Sequence, residues 1–194
     1  MKRLMYLLTA FAILSVLFIT CEKEGGGGTT GYYPHKDQST WVYYDNINEV
    51  DWTWKFNGTN THDTVGEVQV LEITIGVQEA SEIYVKVTDN DVTFYYDLSD
   101  DKYKWVLLKF PLSVGKEWNW TMTSEGQDLN MSAKVEKEEK INVSAGEFPC
   151  FKVTYSQEGT PVESMWFSNG TGIVKDKHLY DFYDLELKSF NEPS

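Results

Sequence analysis

Apolar and polar residues alternate with a period of two along much of the chain after Tyr32, and no 3.6-residue period competes with this pattern. The alternation is clearest in residues 50–56, 83–87, 118–122, 129–135 and 151–155. Each segment has one apolar and one polar face, as strands do in an antiparallel sheet that is buried on one side. The chain is therefore predicted to be all-β.

Residues that favour turns separate the alternating segments. They are Asn57-Gly58, Asp89-Asn90-Asp91, Ser124-Glu125-Gly126, Ser144-Ala145-Gly146, Glu158-Gly159-Thr160-Pro161 and Ser168-Asn169-Gly170. Their spacing predicts a single antiparallel meander of about ten to twelve strands. A curved sheet, half-barrel or barrel would protect the edges of so many strands. No second linker follows Gly31, so residues 32–194 are predicted to form one β domain.

The N-terminus has the pattern of a secretory signal. Lys2 and Arg3 precede an apolar run at residues 4–19, and Cys21 follows immediately before a polar segment. The run is shorter than the roughly 20 residues that a membrane-spanning helix needs. The alternatives are an ordinary signal peptide with a chance cysteine and an uncleaved anchor.

A cysteine at this junction resembles the lipobox of bacterial lipoproteins. The resemblance implies that residues 1–20 are removed as a signal peptide and that Cys21 is acylated and becomes the new N-terminus. The Gly-rich segment at residues 25–31 would then complete a flexible linker over 21–31. Membrane attachment through this lipid is the predicted partner interaction.

The acidic balance argues against nucleic acid as a partner. The chain has 17 Lys and Arg residues against 30 Asp and Glu, for a net charge of −13, and Arg3 is its only arginine. Loss of the signal peptide would leave an acidic domain without arginine, which phosphate backbones would repel.

Catalytic and metal-binding motifs are absent from the sequence. His35, His62 and His178 are not spaced to ligate a metal from one element. Cys150 could be a nucleophile paired with His178, but a buried cysteine that packs as a small apolar residue is favoured. We predict no cofactor, no metal and no enzymatic activity, and the abundant acids leave a hydrolase as a minor alternative.

Four tryptophans are the candidate ligand-facing residues. Trp52 and Trp54 share one strand face, and Trp118 and Trp120 share another. Because a uniformly apolar face normally turns inward, all four are predicted to be mostly buried. Buried rings beside a cavity would favour a carrier of an apolar ligand, whereas an exposed row would favour a glycan-binding surface module.

Several phrases of the domain resemble those of small secreted lipoproteins of Bacteroidetes-like bacteria that have a curved antiparallel β-sheet. They are Tyr33-Pro34 with Ser39-Thr40-Trp41-Val42-Tyr43, Phe110-Pro111-Leu112 with Val114-Gly115-Lys116-Glu117-Trp118, Ala145-Gly146-Glu147-Phe148 with Cys150-Phe151-Lys152-Val153, and Trp166-Phe167 with Gly172-Ile173-Val174-Lys175. The resemblance implies an exported β domain, distantly similar to half-barrel carriers of lipids or lipoproteins. It carries over no binding residue.

We therefore expect a lipid-anchored lipoprotein of the cell envelope, at the outer membrane or cell surface, with a non-catalytic binding or structural β domain. In addition, Asp63-Thr64-Val65 resembles the O-glycosylation sites of Bacteroidetes, which implies modification at Thr64.

Overall fold

The computed structural model describes residues 29–99, 103–124 and 126–193. A short 3₁₀-helix at Thr29–Tyr32 precedes twelve antiparallel strands. They are β1 Thr40–Asp45, β2 Val50–His62, β3 Gly66–Ile75, β4 Ser81–Val87, β5 Asp91–Tyr95, β6 Lys104–Lys109, β7 Glu117–Ser124, β8 Gln127–Val143, β9 Gly146–Gln157, β10 Thr160–Ser168, β11 Gly172–His178 and β12 Asp184–Asn191. The predicted all-β meander is confirmed. The signal peptide at 1–20, Cys21 and the linker up to residue 28 lie outside the described residues.

The twelve strands form one sheet that curls into a nearly closed barrel. The sheet runs from β6 through β1 to β12 and on to β7, so that β6 and β7 are its two edges. Side chains close the seam between these edges. Trp118 donates from Nε1 to the carbonyl of Val106 over 2.9 Å, and the Tyr155 hydroxyl donates to the carbonyl of Leu107 over 2.7 Å. Both bonds join a side chain of β7 or β9 to a backbone carbonyl of the edge strand β6.

The inward faces of the strands supply the core. Its large, fully buried side chains include Tyr43, Phe56, Leu71, Leu107, Tyr155, Phe167 and Leu187. Fully burying an aliphatic or phenyl side chain contributes about 1.5–3 kcal/mol, so this face drives closure of the sheet. The period-two pattern in the sequence arises because alternate residues of each strand lie on this inner face.

The N-terminal segment closes one end of the barrel. The Tyr33 ring is buried between those of Trp41, Phe56 and Phe94, with centroid separations of 5.8–6.5 Å. The carbonyl of Gly31 accepts a hydrogen bond from the backbone N–H of Gly170 in the β10–β11 turn. We call this the closed end, and the opposite end, with the β1–β2, β9–β10 and β11–β12 turns, the open end. No helix among the described residues is long and apolar enough to cross a membrane.

One predicted turn is wrong. Asn57-Gly58 does not end a strand, because β2 continues from Val50 to His62. The pairing of β2 with β3 shifts register between Phe56 and Thr59, and Gly58 has a positive φ of 81°. The residue pair therefore makes a bulge, which bends a long strand without ending its pairing.

Candidate ligand-binding site

The barrel contains a cavity of about 510 Å³ at its open end. Apolar and aromatic side chains from the strand faces form most of its wall, and the β11–β12 turn borders its mouth. The main wall residues are Trp52, Trp54, Ile73, Ile83, Phe94, Trp105, Met165 and Leu185. A volume of this size and a mostly apolar wall are typical of small-molecule sites.

Three indoles line the cavity and present unused hydrogen-bond donors. Trp54 is buried, and Trp52 and Trp105 are half-buried. Their Nε1 atoms are buried, and none has an acceptor within the described part of the chain. Leaving such a donor unpaired costs about 1–3 kcal/mol. The wall can therefore stack on an apolar group, and the unpaired donors behind it add to the cost of leaving this region empty.

Two carboxyl groups lie together inside the barrel. Glu163 on β10 and Asp176 on β11 are only 6% and 2% exposed, and both line the cavity. They share a hydrogen bond with each other, and the Tyr183 hydroxyl donates to Glu163 Oε1. The Oδ1 atom of Asp176 is buried and has no hydrogen-bond partner within residues 29–99, 103–124 and 126–193.

Burial controls the titration of this pair. Burial raises the pKa of Glu163, although hydrogen bonds with Tyr183 and Asp176 oppose the rise. Burial also holds the pKa of Asp176 well above its ordinary value, and the neighbouring Glu163 adds to the effect. Two carboxylates at hydrogen-bond distance cannot both ionise readily, so the pair retains a proton at a pH where exposed acids are charged.

The lining contains no lysine among the described residues. Lys175 lies on the outer face of β11, where it bonds Glu186 over 2.6 Å and Asp184 over 3.3 Å. His178 is the one basic side chain that the described part of the chain contributes to the lining, and burial lowers its pKa. The lumen therefore has an acidic character, which disfavours anionic ligands.

Aromatic side chains border the mouth of the cavity. Phe182 is 69% exposed in the turn between β11 and β12, and Tyr180 is also exposed there. The His178 ring lies 4.7 Å from that of Phe182 and 5.5 Å from that of Tyr183. This turn belongs to the open end and gives the mouth an apolar rim.

The four tryptophans chosen from the sequence differ in burial and in position. Trp54 and Trp118 are buried as predicted, whereas Trp52 and Trp120 are only partly buried. Trp52 and Trp54 line the cavity. Trp118 and Trp120 lie instead on β7 at the seam, where the ring of Trp120 packs 5.5 Å from that of Trp105. The four tryptophans do not form an exposed row.

Sequence reasoning missed Glu163, Asp176 and Trp105. A signal for the acids does exist, because Glu163 shares a strand face with Met165 and Phe167, both buried. An acid on an otherwise apolar face is unusual, but it does not stand out by eye in a chain with 30 acids.

Cys150 and His178 are not brought together. Cys150 is buried on β9 toward the closed end, where burial, and to a smaller extent Glu139, raises the pKa of its thiol to about 12. A thiol of this kind is a poor nucleophile at neutral pH. His178 lies at the open end, so the packing interpretation of Cys150 fits its position.

Two further sequence features have distinct positions. Thr64 is exposed in the turn between β2 and β3, and its glycosylation stays a prediction. No group of three or more His, Cys, Asp or Glu side chains within the described ranges is arranged to hold a metal ion.

The chain matches no protein-family model and no curated protein. Two solved structures are similar to it. A protein described as exported, with a YmcC-like fold, from Bacteroides fragilis has 11% identity and a TM-score of 0.49, and the match covers 82% of this chain and 98% of that one. A protein described as a lipoprotein, from Parabacteroides distasonis, has 13% identity and a TM-score of 0.44 over the same shares. Both are described as proteins of the class that the short sequence segments of this chain resemble, and neither description names a ligand.

Proposed function

We propose that this protein is a lipid-anchored lipoprotein of the bacterial cell envelope that binds a small, largely apolar molecule inside its barrel without transforming it. The observation that carries the proposal is the cavity of about 510 Å³ lined by Trp52, Trp54 and Trp105. A barrel with a purely structural role would be expected to fill this space with side chains, because voids in a core are destabilising.

The N-terminal segment joins the barrel at the closed end. This position supports a carrier in which the mouth of the cavity faces away from the membrane. Cys21, the proposed lipid site, precedes the 3₁₀-helix at Thr29 by eight residues. Eight residues span at most about 28 Å when fully extended. The closed end would therefore lie near the bilayer, and the mouth at the open end would exchange ligand with the aqueous compartment.

The two alternative functions have less support. A glycan-binding surface would need exposed tryptophans, and Trp54 and Trp118 are buried. A glycosidase needs two carboxyl groups about 5–9.5 Å apart. The hydrogen bond between Glu163 and Asp176 holds them closer than that.

A calorimetric titration with 2-naphthol tests the proposal, because this probe is neutral at pH 7 and small enough for the cavity. The acylated protein is held in lipid nanodiscs, with empty nanodiscs as the blank. The decisive variant is Ile83→Trp, which places a larger side chain in the cavity wall. Its matched control is Glu82→Trp, at the neighbouring exposed position of β4.

We expect saturable binding of one 2-naphthol per chain in the wild type and in Glu82→Trp, and at least tenfold weaker binding in Ile83→Trp. Equal binding by all three proteins would place the probe outside the cavity and contradict the proposal. Circular dichroism of Ile83→Trp checks that the barrel is intact.

A further inference from the structure

We propose that the ligand of the cavity carries a protonated amine, and that Glu163 and Asp176 together form its counterion. This inference rests on the proposed function and specifies the class of molecule that the cavity selects. It starts from the placement of Glu163 and Asp176, the only two acidic side chains that the described residues contribute to the lining, against an apolar, indole-rich wall.

The charge inside the barrel is unbalanced. When the pair carries its single shared proton, one negative charge remains in a lining that contains no lysine among the described residues. The two lysines of β11, Lys175 and Lys177, flank Asp176 and therefore lie on the outer face of the strand. Lys175 is bonded to Asp184 and Glu186, and Lys177 lies 4.0 Å from Asp184. A buried charge without a partner is strongly destabilising, and a ligand cation would neutralise it.

Asp176 has unused hydrogen-bonding capacity. The side chain is 2% exposed and lines the cavity, and its buried Oδ1 has no hydrogen-bond partner among the described residues. An ammonium group has three donors and no acceptor. It can therefore donate to the carboxyl oxygens of the pair, whereas a ligand carboxylate or phosphate would meet acceptors only.

An aromatic wall lies beside the two acids. Trp52, Trp54 and Tyr96 line the same cavity as the carboxyl pair. Aromatic faces attract ammonium groups, most strongly where water is excluded. An aryl-alkyl amine would place its ring against the indoles and its nitrogen against the acids.

The charge state of the pair makes the selection sensitive to pH. As the pH falls, the pair takes up its second proton and loses its negative charge, so affinity for an amine should fall while affinity for a neutral ligand persists. His178 can contribute in the same direction by becoming positively charged. The titratable groups around the pair are His178 on β11, Tyr155 on β9, Tyr43 on β1, Tyr96 after β5, and Tyr183 and Asp184 near the start of β12.

The test compares 2-phenylethylamine with 2-phenylethanol, which have the same ring and chain length and differ in the charged group. Calorimetry on the acylated protein in nanodiscs gives both affinities directly at pH 7.5 and at pH 4.5. The variants are Asp176→Asn, Glu163→Gln and the double variant that combines the two substitutions. Asp51→Asn is the matched control, because Asp51 is an exposed aspartate bonded to Lys188.

We expect the wild type and Asp51→Asn to bind the amine at least tenfold more tightly than the alcohol at pH 7.5. The preference should fall to about twofold or less in the double variant, which has no carboxyl group of the pair left to ionise, and in the wild type at pH 4.5. Each single variant keeps one carboxyl group that can carry the negative charge and should retain the preference. A preference that persists in the double variant would contradict the inference, and the pH series keeps the test valid if the double variant does not fold.

The outcomes separate the two proposals. If 2-naphthol binds in the cavity but the wild type prefers the amine by less than twofold, the inference is wrong and the carrier proposal stands. If neither 2-naphthol nor the amine binds, both are wrong. If the amine binds through the carboxyl pair while 2-naphthol does not bind, the counterion inference stands and the cavity is not a carrier of apolar molecules in general.

Discussion

The indole Nε1 of Trp118 on β7 donates a hydrogen bond to the backbone carbonyl of Val106 on β6 over 2.9 Å. The two strands are the edges of the sheet, so this bond joins the first and last strands of the sheet order. A side chain thus takes the place of a ladder hydrogen bond and closes the barrel where backbone pairing stops.

Trp118→Phe should destabilise the protein by about 1–3 kcal/mol, because the buried carbonyl of Val106 loses its donor. Trp120→Phe is the matched control, since Trp120 lies on the same strand and its Nε1 has no acceptor among the described residues. Urea unfolding followed by circular dichroism measures both free energies of unfolding. An equal loss in the two variants would contradict the role of this bond.

Tyr33→Ala should remove the ring that closes the end of the barrel next to the chain's entry. The ring is buried against Trp41, Phe56 and Phe94, so truncation should cost about 3–5 kcal/mol. Tyr33→Phe retains the ring and should differ little from the wild type. Thermal unfolding distinguishes the two, and an unchanged melting temperature for Tyr33→Ala would show that the segment does not contribute to the core.

Asp176→Asn should change how stability depends on pH. The pKa of Asp176 is higher in the folded state than in the unfolded chain, so its stabilising protonation is complete below about pH 4. That contribution is lost as the pH rises through the folded-state pKa, by up to about 1.4 kcal/mol per pH unit. An uncharged asparagine has no such loss.

The measurement is the difference in unfolding free energy between variant and wild type at several pH values from 4 to 8. The difference should move in favour of Asp176→Asn as the pH rises, whereas Asp51→Asn should show no such trend. A constant difference for Asp176→Asn would mean that the carboxyl pair does not titrate as we describe.

Mass spectrometry of the protein isolated from its native membrane tests the anchor. We expect a chain that begins at an acylated Cys21, with residues 1–20 removed. Cys21→Ala should leave an unprocessed precursor or release the protein from the membrane. A mature chain that retains residues 4–19 would contradict the anchor.

Local sequence patterns predicted the fold correctly. They did not predict features that depend on how one strand pairs with its neighbour. Alternation at Trp52, Trp54 and Phe56 identified the inner face of β2, because burial on one side of a strand imposes that period. Asn57-Gly58 has the residues of a tight turn, but pairing with β3 continues past it and converts it into a bulge. A turn and a bulge both use a glycine with positive φ, so the local sequence does not distinguish them.

The acid pair was beyond prediction for a related reason. Glu163 and Asp176 are thirteen residues apart and meet only because β10 and β11 are neighbours that turn the same face inward. Whether an acid on such a face is buried depends on how far the sheet curls, which alternation alone does not specify. The cavity, and with it the role of Trp105, follows from that curvature.

The most direct test of ligand binding inside the barrel is a crystal structure of the protein soaked with 2-(4-bromophenyl)ethanol, with data collected at the bromine absorption edge. The compound is neutral, so the result does not depend on the carboxyl pair. We predict a bromine anomalous peak inside the cavity, in contact with the side chains of Trp54 or Trp105. Bromine found only on the outer surface, with none in the cavity, would contradict the account.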